Sequence, residues 1–415
     1  MMNSWIEVRN KTAVIYDGVH YSYQTMLESD VLGKNSNITE EKIVACHSKN
    51  PFEQLKSMIY GLCNSMPVFF GDVEMLNVVR TELQNRILLE KTELQDVFLI
   101  ATTSGTTGRK KALLKRTHHW LDSFSGHGEV FDIDENDVLF VNGSLAYTAN
   151  LYSVLHALHS GGTVVLSKEL NPRKWTEEVK IHNCTTAFLV PSKLRLLAKA
   201  VDEKWAHSIE ITTAGEALDQ KVLQQLYCNC KNMRIHHYYG AAEIGHISVI
   251  THEELLERPG SVGRVFPGVT NEIIDGVIYA RSPFSVKGEY ELMSAFDYGK
   301  IDEAGYLYVD GRRDTQYNIH GRKFNAQTVV DALKEKDEIE MCLIIDLRDV
   351  AVIKERHGES YGLYVISNTG KDIIEAYIEE TFERWQWPRN IEVRSEALYS
   401  DSGKYDMVNI KKLFL

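Results

Sequence analysis

Hydrophobic residues in the first two thirds of the chain alternate between short apolar runs and helix-like stripes. Runs such as Thr12–Tyr16 and Thr163–Leu166 have the length and β-branched content of strands, whereas Phe52–Cys63 repeats its apolar residues at helical spacing. Further strands are predicted at Lys42–Cys46, Met66–Phe70, Thr186–Val190 and Glu210–Thr213, and further helices at Leu151–His159 and Ser192–Val201. This alternation predicts an α/β fold with largely parallel sheets.

The pattern changes after about residue 260. Gly260–Arg264, Gly268–Glu272 and Val277–Arg281 predict short strands separated by turns, which is typical of a small β-barrel. From about Thr315 the pattern mixes helix and strand again. The predicted elements there are a helix at Ala326–Lys336 and strands at Cys342–Asp346 and Tyr361–Ser367. No repeat or low-complexity linker interrupts the chain.

Composition narrows the class of protein. The chain has 415 residues, of which 44% are hydrophobic and 25% charged, as in an ordinary globular protein. Its formal net charge of −12 argues against a general nucleic-acid or anionic-membrane partner. The cysteines form no C-x-x-C pair, and the His118-His119 and His236-His237 pairs diverge too much for a metal site. Without a signal-peptide or membrane-spanning pattern, we expect a cytoplasmic protein.

One loop carries the clearest chemistry. Ala101–Ala112, with the sequence ATTSGTTGRKKA, follows the apolar run Val97–Ile100. It contains the hydroxyl residues Thr102, Thr103, Ser104, Thr106 and Thr107, the glycines Gly105 and Gly108, and the cations Arg109, Lys110 and Lys111. Glycine lets backbone N–H groups approach a polyphosphate, and hydroxyls and cations add donors and charge. The glycine spacing differs from that of the NTPase P-loop, and the loop by itself equally fits an ordinary hairpin turn.

TSGTTGRKK resembles the phosphate-binding loop of the adenylate-forming superfamily, which contains acyl-CoA synthetases, peptide-synthetase adenylation domains and luciferases. The usual loop ends Gly-Arg-Pro-Lys, so Lys111 matches the family lysine and Lys110 replaces proline. The resemblance covers nearly the whole chain and is closest to small stand-alone bacterial acyl- or aryl-acid ligases. Relatives are usually longer, and the shortening falls between Met66 and Asp96, a region that often helps to build the acyl pocket.

Tyr238–Glu243, YYGAAE, resembles the Tyr-Gly-x-Thr-Glu element of the family. The resemblance implies that Glu243 holds Mg²⁺ through a hard oxygen ligand and that Tyr239 and Gly240 lie at the adenine. Ala242 replaces the usual threonine and removes one hydroxyl donor. Taken alone, Glu243 is better interpreted as a carboxylate in the first turn of a helix, whereas the neighbouring motifs favour the Mg²⁺ role.

Two further segments resemble the walls of the acid pocket. Thr212–Ala217, TTAGEA, is similar to a family turn that lines adenine and the acyl group, which implies binding roles for Ala214, Gly215 and Glu216. Alone it is a routine strand-to-helix turn. Tyr147 stands where relatives place an aromatic or histidine gate, with core packing as its competing role. The resemblance adds Ala241 to this pocket.

Asp297, in SAFDYG, matches the Thr-Gly-Asp element and is implied to accept the ribose hydroxyls of ATP. Ala295-Phe296 stands in place of Thr-Gly. Arg312 matches the Gly-Arg-x-Asp/Lys motif and is implied to contact ribose or phosphate. The competing role for Arg312 is a surface ion pair with Asp310 or Asp314.

The C-terminal motifs imply a second domain. Asp314 matches the hinge, which divides the chain into an adenylation domain at residues 1–313 and a mobile α+β domain at residues 314–415. Gly321 matches the loop that lines the pantetheine tunnel, whereas the neighbouring Arg322 and Lys323 fit phosphate binding and solvated charges equally well. Lys404 matches the Ser-Gly-Lys element and is implied to bridge the attacking carboxylate and the α-phosphate.

The resemblance implies a ligase that uses ATP and Mg²⁺ to convert a carboxylic acid, aryl or acyl, to an acyl-adenylate. The catalytic groups are Lys404, Glu243 and Lys111, and the acceptor is the phosphopantetheine thiol of CoA or of a stand-alone carrier protein, as in siderophore or other secondary-metabolite assembly. No pocket aspartate stands out as a partner for an amino-acid ammonium group. Two alternatives stay open: a catalytically weakened nucleotide-binding or regulatory protein, and a ligase with an amine or alcohol acceptor.

Overall fold

The structure is a computed structural model that describes residues 5–28, 32–90, 94, 96–104, 110–201, 205–287, 291–312, 315–319, 321–348, 359–400 and 405–415. The elements of its first half are β1 (Thr12–Tyr16), β2 (Val19–Ser22), α1 (Tyr23–Leu27), β3 (Ser36–Ile38), β4 (Val44–Cys46), α2 (Pro51–Asn64), β5 (Val68–Phe70), α3 (Val73–Glu90), β6 (Val97–Ser104), β7 (Lys110–Arg116), α4 (Thr117–Phe131), β8 (Val138–Asn142), α5 (Thr148–Ser160), β9 (Thr163–Ser167), α6 (Pro172–Ile181), β10 (Thr186–Phe188) and α7 (Pro191–Ala198).

The second half continues in the same alternating manner before it changes to mostly antiparallel strands. Its elements are β11 (Ile209–Ala214), α8 (Gln220–Asn229), β12 (Met233–Ala241), β13 (Gly245–Ile250), α9 (His252–Glu257), β14 (Ser261–Val265), β15 (Thr270–Ile274), β16 (Val277–Arg281), β17 (Met293–Ile301), β18 (Leu307–Arg312), β19 (Gln316–Ile319), β20 (Arg322–Asn325), α10 (Gln327–Lys334), β21 (Ile339–Asp346), β22 (Tyr361–Ser367), α11 (Lys371–Thr381), a single 3₁₀ turn (Arg384–Gln386), β23 (Asn390–Arg394) and α12 (Met407–Lys412).

The largest sheet has 13 strands in the order β15-β16-β17-β18-β14-β13-β12-β11-β10-β8-β9-β1-β2. Its central ladders, from β12 through β11, β10, β8 and β9 to β1, are all parallel. The second sheet has the order β3-β4-β5-β6-β7 and is parallel from β4 to β6. The predicted α/β fold with largely parallel sheets is therefore confirmed.

The two sheets share one interior. Side chains from β6, β7, α4 and α5 pack into the same hydrophobic cluster, which includes Leu99, Leu113, Trp120 and Leu155. The sequence sets the ends of the helices beneath them: Asn50 caps α2 by accepting hydrogen bonds from the N–H groups of Phe52 and Glu53. This interior matters for function because the candidate site lies at its edge.

The strands predicted after residue 260 form an antiparallel unit, β14–β18, with its own core around Phe266, Ile278 and Leu307. The unit lies where the small barrel is expected and extends the 13-stranded sheet through the β13–β14 ladder, and its described strands form an open antiparallel arrangement with β15 at the edge. The strand predicted at Gly268–Glu272 begins two residues later, at Thr270, because Gly268 adopts a left-handed φ of 78° in the preceding turn.

Residues after 315 build separate cores of their own. The β19–β20 hairpin, α10, α11 and the sheet β21-β22-β23 enclose one apolar cluster, and α12 packs with β21 and β22 in another. In the part of the chain that the structure describes, no helix is both long enough and apolar enough to cross a membrane.

Candidate active site

The carboxyl ends of β11 and β12 bring two of the predicted motifs side by side. Ala214 pairs in register with Tyr238, and Gly215 follows with a φ of 85°, a conformation that favours glycine. The Glu216 carboxylate then accepts a hydrogen bond of 2.9 Å from the backbone N–H of Ser192, at the start of α7. The turn is therefore anchored to a helix N-terminus, where a carboxylate is favourable.

Tyr147 stands against the same turn. It precedes α5, and burial, together with the negative charge of Glu216, raises the pKa of its hydroxyl. Burial raises the pKa of the Tyr238 hydroxyl, and Tyr147 raises it further. Tyr147, the Ala214–Glu216 turn and the end of β12 at Tyr238 are thus neighbours. Tyr147 also packs against the hydrophobic core, so its position is compatible with both the gate role and the packing role.

A tight hairpin between β12 and β13 carries the next motif. A Cβ on Gly240 would lie 2.3 Å from the carbonyl oxygen of Gly245, so only glycine allows the two strands to approach this closely. Ala241 and Ala242 are half-buried in the turn, and Glu243 follows with a half-buried side chain. The carbonyl of Glu243 accepts a hydrogen bond from the N–H of Val286, which holds the turn against the antiparallel unit.

Tyr239 and Asp297 meet although they lie far apart in the sequence. The Tyr239 hydroxyl donates a hydrogen bond of 2.5 Å to the Asp297 carboxylate. Asp297 on β17 is the register partner of Arg312 on β18, so the structure brings the predicted ribose-binding pair onto adjacent strands. The side chain of Arg312 lies outside the described residues.

The replacement of the family Thr-Gly by Ala295-Phe296 affects the backbone conformation before Asp297. Phe296 has a φ of 60°, in the left-handed region, and its side chain is 48% exposed. The family glycine at this position would adopt that conformation without a Cβ clash, whereas a left-handed L-residue costs roughly 1–2 kcal/mol. The chain keeps the turn that presents Asp297 despite the substitution.

The segment Ala101–Ala112, which resembles a phosphate-binding loop, runs from the end of β6 to the start of β7. Thr103 is the register partner of Lys111, and Ser104 is the register partner of Lys110, in an antiparallel ladder. The side chains of Thr103, Ser104 and Lys111, and the whole of Gly105, Thr106, Thr107 and Gly108, lie outside the described residues. The described part of this segment is thus the antiparallel strand pair β6–β7 on either side of the loop.

Lys115 is a charged residue that the sequence analysis did not single out. It lies on β7, on the same strand face as Leu113, and its side chain is only 2% exposed. Burial lowers the pKa of Lys115 to about 8, although the Glu243 carboxylate counteracts this shift. The ammonium group therefore points into the interior and stays mostly protonated at neutral pH.

Three buried histidines line the same interior. The His127 Nδ1 and His246 Nε2 atoms are 3.2 Å apart, and His156 donates its Nε2–H to the carbonyl of Phe124 at 3.1 Å. The His246 ring lies 4.3 Å from that of Tyr238. Burial lowers the pKa of His246 to about 3 and that of His156 to about 4, so these imidazoles are neutral at pH 7.

The expected Mg²⁺ fits the donor set. Among the residues that the structure describes, no group of three or more His, Cys, Asp or Glu side chains gathers to hold a metal ion. Mg²⁺ commonly binds through one or two carboxylates together with substrate phosphates and water. A single half-buried carboxylate such as that of Glu243 is sufficient for this kind of site. In the adjacent pair His236-His237, the Nε2 atom of His236 lies 3.0 Å from the Glu210 carboxylate.

The C-terminal segment approaches the site through α7. Arg195 donates hydrogen bonds to the Asp219 carboxylate at 2.8 Å and to the Glu340 carbonyl. It also bonds the hydroxyl of Tyr405. Burial raises the pKa of Tyr405, and Glu216 contributes to the shift, so this residue lies near the Ala214–Glu216 turn.

Of the three site residues predicted in the C-terminal segment, the structure describes one. Lys404, which precedes Tyr405, and Asp314 lie outside the described residues. Gly321 is exposed in the β19–β20 turn with a φ of 82°, and a Cβ there would meet nothing within 4 Å. Its conformation, more than the space around it, therefore favours glycine.

Comparison with known proteins agrees with this geometry. Residues 36–290 match the family described as AMP-binding enzyme, which is more than half of the chain. An uncharacterized acyl–CoA ligase of Bacillus subtilis, YhfT, is 24% identical over 333 residues, covering 76% of this chain and 68% of the relative.

Solved structures show the same fold. The amide bond synthetase McbA from Marinactinospora thermotolerans has a TM-score of 0.75 at 16% identity and covers 100% of this chain and 99% of its own. The o-succinylbenzoate coenzyme A synthetase MenE from Bacillus subtilis, in complex with ATP and magnesium ion, has a TM-score of 0.75 at 15% identity and covers 97% and 96%. The chain belongs to the AMP-binding enzyme family, within the adenylate-forming superfamily that its loop motif indicated.

Proposed function

We propose that this enzyme activates a carboxylic acid with ATP and transfers the acyl group to a thiol, with CoA as the acceptor. The observation that carries the proposal is the Tyr239–Asp297 hydrogen bond beside Arg312, which joins three motifs of a nucleotide site that are distant in sequence. The names of relatives such as the acyl–CoA ligase YhfT support the choice of CoA.

In the first step, a carboxylate oxygen attacks the α-phosphorus of ATP, and the bond from that phosphorus to the β-phosphate oxygen breaks. The ribose would be held by Asp297 and Arg312, the adenine by Tyr239, Gly240 and the Ala214–Glu216 turn. The loop Thr103–Gly108 and Lys111 would bind the phosphates. Glu243 would hold Mg²⁺, which when bound supplies charge neutralisation on the phosphates. Lys404 would stabilise the charge that develops as pyrophosphate leaves.

In the second step, the thiol sulfur attacks the acyl carbon, the bond to the AMP oxygen breaks, and the thiol proton is released. We propose that residues 314–415 form the mobile domain that turns about Asp314 for this step, with pantetheine passing Gly321. Tyr405, the residue that follows Lys404 in the chain, supports the first orientation because its hydroxyl interacts with Arg195 of α7 and with Glu216.

The test is pyrophosphate release, with hydroxylamine to trap the acyl-adenylate, across aryl, short-chain, long-chain and amino acids. Lys404→Ala should lose the reaction, whereas Lys412→Ala, an exposed lysine on α12, should behave as wild type. ATP binding without release for any acid would refute the ligase and favour the regulatory alternative.

The acceptor is tested second, with CoA, a holo-carrier protein and an amine offered to the trapped adenylate. Thioester formation with CoA supports the proposal. Transfer to a carrier alone would instead support a secondary-metabolite role such as siderophore assembly. Transfer to the amine alone would support amide formation, as in the structural neighbour McbA, an amide bond synthetase.

A further inference from the structure

Four parallel strands of the large sheet end at the edge where the candidate site lies. They are β8, β10, β11 and β12, which are successive neighbours in the sheet. Ligands of such sheets bind beyond the carboxyl ends of the strands. The Ala214–Glu216 turn follows β11 at this edge, and residues 143–147 follow β8 and lead into α5. Residues 143–147, named the β8 loop below, end at Tyr147, the predicted gate of the acid pocket.

Buried polar side chains from three helices hold the backbone of the β8 loop. Lys193 of α7, Gln54 of α2 and Asn150 of α5 are 1%, 3% and 2% exposed, respectively. The Lys193 Nζ atom donates a hydrogen bond of 2.5 Å to the carbonyl of Asn142, where β8 ends. The Asn150 Nδ2 atom donates to the same carbonyl at 3.3 Å and to the Ser144 carbonyl at 3.0 Å. Two of the three side chains therefore converge on the first residue before the loop.

The side-chain amide of Gln54 holds the middle of the loop. Its Oε1 atom accepts hydrogen bonds from the Leu145 N–H at 2.7 Å and from the Ser144 hydroxyl at 3.1 Å. Its Nε2 atom donates to the carbonyl of Ser48 at 2.8 Å. The Ser144 hydroxyl also accepts a hydrogen bond of 3.2 Å from the Ala146 N–H. Because the amide is used at both its oxygen and its nitrogen, it fixes the loop backbone in one arrangement.

Helix α7 also holds the second wall of the candidate site. The N–H of Ser192 donates to the Glu216 carboxylate at 2.9 Å, and the next residue is Lys193. Consecutive residues of one helix thus tie the Ala214–Glu216 turn to the β8 loop. Burying polar side chains costs free energy of desolvation, so a buried network of this kind is expected where one precise arrangement of the chain is needed. The position of Tyr147 relative to the turn is therefore set by side chains of α2, α5 and α7.

We propose that Lys193, Gln54 and Asn150 are positioning residues of the acid site. They fix the β8 loop so that Tyr147 forms a rigid wall beside the Ala214–Glu216 turn, and they act through Tyr147 without binding ATP or the acid themselves. This inference rests on the proposed acid-activating function and names residues, distant from one another in the sequence, that control how tightly the acid is bound.

The experiment measures pyrophosphate release by the intact enzyme with the acid that the wild type uses best, and obtains kcat and the KM for acid and ATP. Lys193→Met keeps a long side chain and removes the hydrogen-bond donor. It should raise the KM for the acid about tenfold, with kcat and the KM for ATP changed less than about twofold. Ser153→Ala is the matched control, because this buried hydroxyl donates to the Ala149 carbonyl within α5. It should leave the KM for the acid unchanged.

A double-mutant cycle with Tyr147→Ala shows whether the effect of Lys193 passes through Tyr147. In the Tyr147→Ala background, Lys193→Met should raise the KM for the acid no further, because the ring that it positions is already absent. Ser144→Ala is a milder variant at a half-buried position and removes the hydroxyl that Gln54 holds. It should raise the KM for the acid about threefold, and it decides the matter if Lys193→Met does not fold.

Two results would overturn the inference while leaving the proposed function standing. One is an unchanged KM for the acid in the folded variants. The other is an equal effect of Lys193→Met with and without the Tyr147 ring, which would show that Lys193 does not act through Tyr147. Absence of pyrophosphate release by the wild type with every acid would instead refute the proposed function, and the inference with it.

Discussion

The hydrogen bond between Tyr239 and Asp297 allows a quantitative test of the candidate site. Replacing Tyr239 by phenylalanine removes only the hydroxyl that donates to Asp297 at 2.5 Å and keeps the ring against its neighbours. If Asp297 holds the ribose, the variant should bind ATP more weakly because the carboxylate loses the donor that orients it.

The size of the effect follows from the type of bond. A hydrogen bond to a charged group contributes about 1.5–3 kcal/mol. This bond is only partly buried, so water replaces some of the lost donor, and the lower end of that range applies. About 1.4 kcal/mol corresponds to a tenfold change, and we therefore expect the Kd for ATP to rise about tenfold in Tyr239→Phe.

The assay is a double-mutant cycle on ATP affinity, measured by calorimetry. Asp297→Ala should weaken binding more than Tyr239→Phe, because it removes the ribose contact itself. The double variant should bind no more weakly than Asp297→Ala alone, since the hydroxyl then has no carboxylate to orient. The coupling free energy should equal the full effect of Tyr239→Phe, about 1.4 kcal/mol.

Additivity within about 0.5 kcal/mol would refute this reasoning, because it would show that the two residues act on ATP independently. A Tyr239→Phe variant that binds ATP as the wild type does would likewise show that the hydrogen bond does not orient the ribose-binding group.

Three further variants or conditions probe other parts of the structure. Arg195→Met removes the hydrogen bonds from α7 to the Glu340 carbonyl and the Tyr405 hydroxyl of the C-terminal segment. We expect about tenfold slower adenylate formation at unchanged ATP affinity, against less than about twofold for Lys199→Met at an exposed ion pair. Equal losses in the two variants would contradict this role. Phe296→Gly should raise the free energy of unfolding in urea by about 0.5–1 kcal/mol, because relief of left-handed strain exceeds the entropy cost of glycine; a decrease would contradict the strain. Burial lowers the pKa of several histidines in the folded chain. Below pH 6.5 the unfolded chain therefore binds protons that the folded chain excludes. As the pH falls, the free energy of unfolding should decrease by up to about 1.4 kcal/mol per pH unit for each histidine, until its pKa in the folded chain is reached. These residues are His119 and His246, with a pKa of about 3, and His156 and His237, with a pKa of about 4. A free energy of unfolding that is constant between about pH 6.5 and 5, above the range where carboxylates titrate, would contradict it.

The periodicity of the sequence determined the local elements well. The strands at Thr12–Tyr16, Val277–Arg281 and Tyr361–Ser367 have the predicted bounds, because period-two or continuous apolar runs depend only on neighbouring residues. The helix α3 was not predicted. Its buried residues Leu76, Val79 and Leu83 recur at helical spacing, but apolar residues elsewhere on the helix, such as the exposed Val78, obscure this stripe in the sequence.

The motifs likewise indicated the family and the residue types of the candidate site before any geometry was known. Gly240 allows a close approach of two strands, and Gly215 adopts a left-handed conformation. Both requirements are local, so the glycines themselves indicate them in the sequence. The roles of Lys111, Glu243 and Lys404 stay predictions, and the experiments above address them.

Only the tertiary structure decided which distant groups meet. The run Leu113–Arg116 gives no sign that Lys115 is buried, and nothing local pairs Tyr239 with Asp297, 58 residues away. Such contacts depend on which strands become neighbours in the sheet and on where α4 packs across them. The free energy of those arrangements is shared by many residues, so short-range pattern determines the elements, whereas the assembled interior determines which charges and hydroxyl groups face one another.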